Sequence, residues 1–93
     1  MSELSLIKVT KAEPVGGYRL RLTFSDDSTG ERDFAELVAK TGSMVLPLRD
    51  PAYFARVFLD MGVPTWPNGF DLAPNALHSE MKDLGLLKRK IPA

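Results

Sequence analysis

The sequence contains no cysteine, and this absence removes several kinds of chemistry at once. Disulfide bonds, a thiolate nucleophile and cysteine metal sites are all excluded. Because there is also only one histidine, carboxylates are the only plentiful metal ligands, and they suit Mg²⁺ or Ca²⁺ rather than Zn²⁺. Neither a metal site nor a cofactor is predicted.

An excess of charge of either sign is also missing, since 12 basic residues balance 12 acidic ones. Nothing in the whole-chain charge would therefore draw the protein to nucleic acid or to an anionic membrane. The amino terminus has no basic stretch followed by a long apolar run, so it does not have the pattern of a secretory signal. No apolar segment is long enough to span a membrane. We expect a cytoplasmic protein with no membrane partner.

The chain is short, with 93 residues, of which 44% are hydrophobic and 26% are charged. This composition is typical of an ordinary globular protein. A chain of this length is expected to fold as one domain, residues 1–93, around one core.

A strictly alternating stretch, "YRLRLTFS" at residues 18–25, predicts a strand with one buried face. The stretch before it, residues 4–13, is rich enough in Leu, Ile and Val to be its neighbour, joined through the glycines of "PVGG". The next segment, "DDSTGE" at 26–31, is interpreted as a polar loop, and its aspartates lack the ligand spacing of a calcium site.

Three helices are predicted, near residues 33–40, 50–56 and 74–84. Asp33, with a glutamate three residues later, has the form of a capping box, and Asp50 can cap the second helix because proline suits the first helical position. Residues 57–65 predict a hairpin with its turn at "MG", although a continuous helix over 51–60 is the alternative. The basic tail, residues 86–93, is expected to be poorly ordered or held only by its leucines.

Together these elements predict an α+β fold, with a small antiparallel sheet of four to five short strands and two or three helices packed on it. Apolar residues at the spacings of these elements should form most of the core. They are Tyr18, Leu20, Leu22, Phe24, Leu37, Leu48, Phe54, Val57, Leu59, Trp66, Leu72, Leu77 and Met81.

The least ordinary stretch is "WPNGFDLAP", residues 66–74. Pro67, Asn68 and Gly69 fit successive positions of a tight turn that returns the chain to a strand. Trp66 either packs in the core or stands exposed as an anchor for a partner. Asp71 either hydrogen-bonds the amides of the turn or takes part in recognition beside Trp66 and Asn68.

His78 is the only side chain that titrates near neutrality without perturbation. A catalytic role would require an orienting carboxylate or a nucleophile within reach, and an enzyme using Asp71 and His78 is the least favoured hypothesis. No catalytic residue is predicted.

Several segments together resemble a family of small bacterial proteins, domain of unknown function 2442. They are "YRLRLTFSD", Asp33 and the glycine before it, "LPLRDPAYF" and, most specifically, "WPNGFDLAP". The resemblance covers about residues 4–78 and implies a small α+β protein without established chemistry. It also implies that some members carry a helix-turn-helix domain, and that some are encoded beside another small protein in an arrangement similar to toxin and antitoxin pairs. In this chain Asp27 stands where the family tends to have glycine, which would loosen the turn.

Two functions follow as hypotheses. The first is a non-enzymatic protein-interaction module, the antitoxin-like member of a two-gene pair, whose partner is another small protein bound at Trp66, Asn68 and Asp71. The alternative is a small nucleic-acid-binding regulatory protein that uses a basic patch, comprising Arg19, Arg21, Lys88, Arg89 and Lys90. A homodimer paired through sheet edges is a further prediction.

Overall fold

The computed structural model describes residues 7–40 and 42–89. It has an α+β fold, as predicted. The larger sheet has four antiparallel strands in the order β1-β2-β3-β6: Val9–Gly16 (β1), Arg19–Phe24 (β2), Ser28–Asp33 (β3) and Lys88–Arg89 (β6). The smaller sheet is a hairpin of Phe58–Asp60 (β4) and Val63–Thr65 (β5).

The helices are shorter than predicted. They are Ala35–Val38 (α1), Pro51–Phe54 (α2) and Pro74–Asp83 (α3), and a 3₁₀ helix occupies Leu46–Arg49. Asp50 caps α2 as predicted, since its carboxylate accepts the Ala52 N–H at 3.0 Å. Asp33 accepts the Ala35 N–H at 2.9 Å, but α1 begins two residues later than predicted.

The interpretation of residues 26–31 as a loop is wrong from Ser28 onward, because that residue begins β3. The alternation that identifies β2 is absent from β3, since neither of its faces is apolar. Gly30 pairs with Leu22 on the core side, where a side chain would collide with the Leu86 carbonyl. The strand is therefore specified by its neighbours rather than by its own hydrophobic pattern.

The first part of the tail follows the second of its two expectations, because it is held by its leucines and is not poorly ordered. Leu86 and Leu87 pack against the core, and β6 pairs with Ser28 and Thr29 of β3. Lys90–Ala93 lie outside the described residues.

The hairpin prediction for 57–65 is confirmed, and the alternative helix over 51–60 is wrong because α2 ends at Phe54. Met61 and Gly62 form the turn with φ values of 52° and 85°. Both residues are in the left-handed region, as the tight turns that join two strands require.

The core lies on one face of the larger sheet. Leu20, Leu22 and Phe24 of β2 are fully buried there, whereas Arg19 and Arg21 project from the open face. Every predicted core residue belongs to the buried cluster or packs against it, and the sequence analysis missed Val9, Phe34 and Val38.

Phe54 is central to an aromatic cluster within this core. Its ring centroid lies 5.5 Å from that of Trp66 and 5.7 Å from that of Tyr18. The Tyr18 hydroxyl donates to the Arg49 carbonyl, which ties the sheet to the 3₁₀ helix. None of the helices in the described ranges combines the length and the apolar character needed to cross a membrane.

Candidate functional site

Trp66 is a structural residue, because its side chain is 0% exposed. Its indole N–H donates to the Phe54 carbonyl at 2.9 Å, which satisfies the only polar atom of the ring. The alternative interpretation of Trp66 as an exposed anchor is wrong in this structure. A partner could not contact the indole without opening the core.

Asn68 locks the turn that follows. Its side-chain carbonyl accepts the Phe70 N–H at 3.1 Å, and its amide group donates to the Met44 carbonyl at 2.9 Å. The backbone closes the turn where the Gly69 N–H donates to the Trp66 carbonyl at 2.8 Å. Gly69 has a φ of 91°, which confirms its predicted left-handed role. Both ends of the Asn68 amide are therefore used within the fold.

The turn carries a small surface that combines apolar and acidic groups. Met44 is 44% exposed and its Cε lies beside Gly69, while Pro67 and Asp71 are also exposed. The Asp71 backbone forms a bridge with Thr65. Its carboxylate has no hydrogen-bond partner among the described residues, so the predicted bond to the amides of the turn is not formed. We call Met44, Pro67, Gly69 and Asp71 the turn surface.

The open face of the larger sheet carries Arg19, Arg21 and Lys88 of the predicted basic residues, but the two arginines are paired with acids. Glu31 accepts from Arg19 at 2.9 Å and from Arg21 at 3.0 Å, and Arg21 also lies 3.8 Å from Glu13. These pairs are exposed, so each contributes little to stability. They nevertheless reduce the positive potential that Arg19 and Arg21 would offer to a phosphate.

Beside these pairs, one row of side chains crosses all four strands of the sheet. The strand register aligns Lys11 with Thr23, Thr23 with Thr29, and Thr29 with Lys88. The tail thus folds back onto the face that carries Arg21, an arrangement that the sequence alone left open. Neither lysine forms an ion pair with a described carboxylate. We call these four residues the polar row.

His78 pairs with Asp26, and it has no hydrogen bond to Asp71 in the part of the chain that the structure describes. Its Nε2 lies 2.9 Å from one Asp26 oxygen, and its ring packs edge-on against Phe24 with centroids 5.1 Å apart. The other Asp26 oxygen accepts from the Ser28 hydroxyl at 2.5 Å and from the Ser28 N–H at 3.0 Å. Asp26 thereby joins α3 to the turn between β2 and β3.

Burial of Asp26 would raise its pKa, but opposing interactions are stronger. Hydrogen bonds from Ser28 and His78, with the charge of His78, lower the pKa of Asp26 to about 2. Ser28 is buried and bonded to the carboxylate instead of to His78, so these three groups lack the order of a nucleophile, a base and an orienting acid. Sequence reasoning missed Asp26 because the residue lies 52 positions from His78.

No group of three or more histidine or acidic side chains in the described ranges is placed to hold a metal ion. Asp27 occupies the left-handed position of the turn with a φ of 70°. The turn therefore closes without the glycine expected there, at the cost of a conformation that is uncommon for a residue with a side chain.

Comparison with known proteins gives a family and a similar solved structure. No curated protein matches it. One solved structure that is similar to the chain is that of "Putative DNA Binding Protein NE0471" from Nitrosomonas europaea ATCC 19718, with 28% sequence identity and a TM-score of 0.74. The match covers 91% of this chain and 55% of that one, so this chain spans little more than half the length of the Nitrosomonas europaea protein.

The family comparison agrees with the resemblance noted from the sequence. A family model matches residues 9–83, which include all of the larger sheet except β6 and all of the turn surface. The chain belongs to the family described as "Protein of unknown function (DUF2442)".

Proposed function

We propose that this chain is a non-enzymatic, cytoplasmic protein-interaction module that binds another small protein through the turn surface. The observation that carries the proposal is the rigid support of that surface. The Asn68 side chain bonds Phe70 within the turn and the Met44 carbonyl of a neighbouring segment, and Trp66 anchors the turn in the core. A surface held in one conformation loses little conformational entropy when it binds, which favours affinity.

The chemistry of the surface supports a protein partner. Met44 offers a flexible apolar side chain that adapts to different contacts, and Pro67 adds rigid apolar area beside it. Asp71 adds one carboxylate that no described side chain satisfies, which favours a partner with a basic or amide group opposite it. From the family resemblance, we further propose that the chain is the antitoxin-like member of a two-gene pair.

The turn surface is tested by co-purification of the tagged protein from its native cell. We expect one stoichiometric protein partner, whose recovery falls at least about tenfold for Met44→Asp and for Asp71→Lys. Met61→Asp is the matched control for Met44→Asp, because Met61 is 85% exposed on the separate β4–β5 hairpin. Equal recovery with all of the variants would refute the proposed surface.

A second function, nucleic-acid binding, is favoured by the polar row. Lys11 and Lys88 lie on the same face of the sheet because β6 folds back, and the similar Nitrosomonas europaea protein is named for DNA binding. This function ranks second, since the carboxylates of Glu13 and Glu31 on the same face repel phosphates.

Gel-shift and salt-titration assays with short DNA and RNA test this second function. Binding through the polar row should weaken with salt and should be lost in a Lys11→Glu, Lys88→Glu double variant. A Lys40→Glu, Lys82→Glu double variant changes the net charge by the same amount at exposed positions outside the polar row, and it is the control. The absence of any shift at low salt would eliminate the hypothesis.

A further inference from the structure

One edge of the larger sheet is only partly covered. β3 is six residues long, but β6 pairs with just two of them, Ser28 and Thr29. The chain reaches this edge from α3 by crossing beneath Gly30, whose missing side chain leaves space for the Leu86 carbonyl. The edge of β3 from Glu31 to Asp33 therefore has no neighbouring strand among the described residues.

The direction of the free backbone groups follows from the strand register. The Phe34 N–H donates to the Tyr18 carbonyl at 2.8 Å, which continues the pairing of β3 with β2. In an antiparallel pair only alternate residues direct their N–H and C=O groups at a given neighbour. The backbone N–H and C=O groups of Arg32 therefore point toward β2, on the same side of β3 as the Phe34 N–H. Glu31 and Asp33 direct their backbone groups toward the open edge.

A groove of about 790 Å³ lies along this edge. Leu84, which is 62% exposed, and the half-buried Leu86 form its apolar side. Exposed leucine beside free strand groups is an arrangement that native proteins usually avoid, because it promotes pairing with another chain.

The carboxylates around the groove favour a basic occupant. Glu31 is paired with Arg19, and Arg32 is paired with Glu80. Among the described residues, Glu36 forms no ion pair, and the Asp33 carboxylate accepts a hydrogen bond only from the Ala35 N–H. The groove thus has more negative than positive groups available for an incoming chain.

The opposite edge of the sheet, formed by β1, is protected against pairing with another strand. The two edges of the sheet therefore differ. β1 contains Pro14 and two register shifts, and its Val9 N–H donates to the Gly62 carbonyl at 2.9 Å. Proline and bulges are features that discourage pairing at an edge strand. The homodimer predicted through sheet edges stays a prediction, and β1 is poorly suited to form it.

We propose that the open edge of β3 binds an extended segment of a partner protein, in which basic and apolar residues alternate, as an added strand in line with β6. Glu31 and Asp33 together offer two N–H and two C=O groups for backbone hydrogen bonds. Apolar side chains of the segment pack on Leu84 and Leu86, and basic ones approach Glu36. The open edge of β3 is distinct from the turn surface, so binding there goes beyond the proposed function. Binding at either surface can be absent while binding at the other is present.

The test uses three capped synthetic heptapeptides and the ¹⁵N-labelled full chain. One peptide alternates lysine with valine, one alternates glutamate with valine, and one is the lysine peptide with N-methylated backbone amides along one edge. We expect the lysine peptide to shift the amide signals of Glu31 and Asp33 most. The other two peptides should bind at least about tenfold more weakly.

Variants at exposed positions separate the groove from the rest of the surface. Leu84→Asp should weaken binding of the lysine peptide at least about tenfold, and Glu36→Lys should shift the preference toward the glutamate peptide. Leu46→Asp is the matched control, since Leu46 is 50% exposed beside the turn surface. Absence of binding by the lysine peptide, shifts centred elsewhere, or equal weakening by Leu46→Asp would overturn the proposal.

Discussion

Replacement of Asp26 by asparagine should destabilise the protein at neutral pH and have almost no effect in strong acid. The wild-type carboxylate accepts hydrogen bonds from Ser28 and His78, which lower its pKa from the ordinary value of 3.8 to about 2. Asparagine has nearly the same shape but cannot carry the charge. The variant therefore isolates the contribution of ionised Asp26.

The magnitude follows from the two pKa values. Their difference corresponds to about 2 kcal/mol of unfolding free energy at a pH where Asp26 is ionised in both the folded and the unfolded chain. Because 28% of the Asp26 side chain is exposed, screening by solvent lowers the expected loss to roughly 1–2 kcal/mol.

The sign of the pH dependence follows from the lowered pKa in the folded state. The unfolded chain takes up a proton at Asp26 at a higher pH than the folded chain does. The stabilisation is therefore complete above about pH 5 and is lost as the pH falls through about 2. Protonated Asp26 resembles asparagine, so the wild type and the variant should become equally stable there.

Urea denaturation of both proteins at several values between pH 2 and pH 7 measures this difference. Titrating groups that do not interact with Asp26 contribute equally to the two proteins and cancel. A difference in unfolding free energy that stays constant across the range would refute the assignment of the stabilisation to the Asp26 carboxylate.

Three further predictions concern the backbone and the core, each measured by urea denaturation. Asp27→Gly should raise the unfolding free energy by about 0.5 kcal/mol and Asp27→Ala should lower it, since the residue has a φ of 70°; a loss with glycine would contradict this. Gly30→Ala should cost about 1–3 kcal/mol, because its Cβ would lie 2.2 Å from the Leu86 carbonyl oxygen; a neutral effect would show that the crossing segment is loosely held. Trp66→Phe should cost about 2–4 kcal/mol through lost packing and an unsatisfied Phe54 carbonyl, and an unchanged midpoint would exclude a buried indole.

The sequence predicted the elements that are determined by local patterns. β2 alternates between apolar and polar residues, so its buried face could be identified, and the "WPNG" turn depends on proline and glycine preferences within four residues. The β4–β5 hairpin follows from the glycine at its turn.

Features that depend on distant contacts could not be predicted in this way. β3 has glycine, arginine and serine on its core side, so its own sequence gives no strand pattern, and β6 exists only because Leu86 passes beneath Gly30. The pair of Asp26 and His78 joins residues 52 positions apart, and no spacing rule connects them.

The candidate site also combines features set by local sequence with features that depend on distant contacts. The conspicuous residues of the "WPNG" turn are used to build it, with Trp66 in the core and Asn68 bonded at both ends. The proposed turn surface adds Met44 to the exposed Pro67, Gly69 and Asp71, and Met44 comes beside them only in the folded chain.

The pairing of β6 with β3 has a consequence for the order of folding. β1, β2 and β3 follow one another along the chain, so their contacts close only short loops. The pairing of Thr29 with Lys88 joins residues about 60 positions apart and closes a long loop for only two paired residues. This strand should therefore form last and exchange its amide hydrogens first. During synthesis the whole outer edge of β3 stays uncovered until nearly all of this sequence has been made.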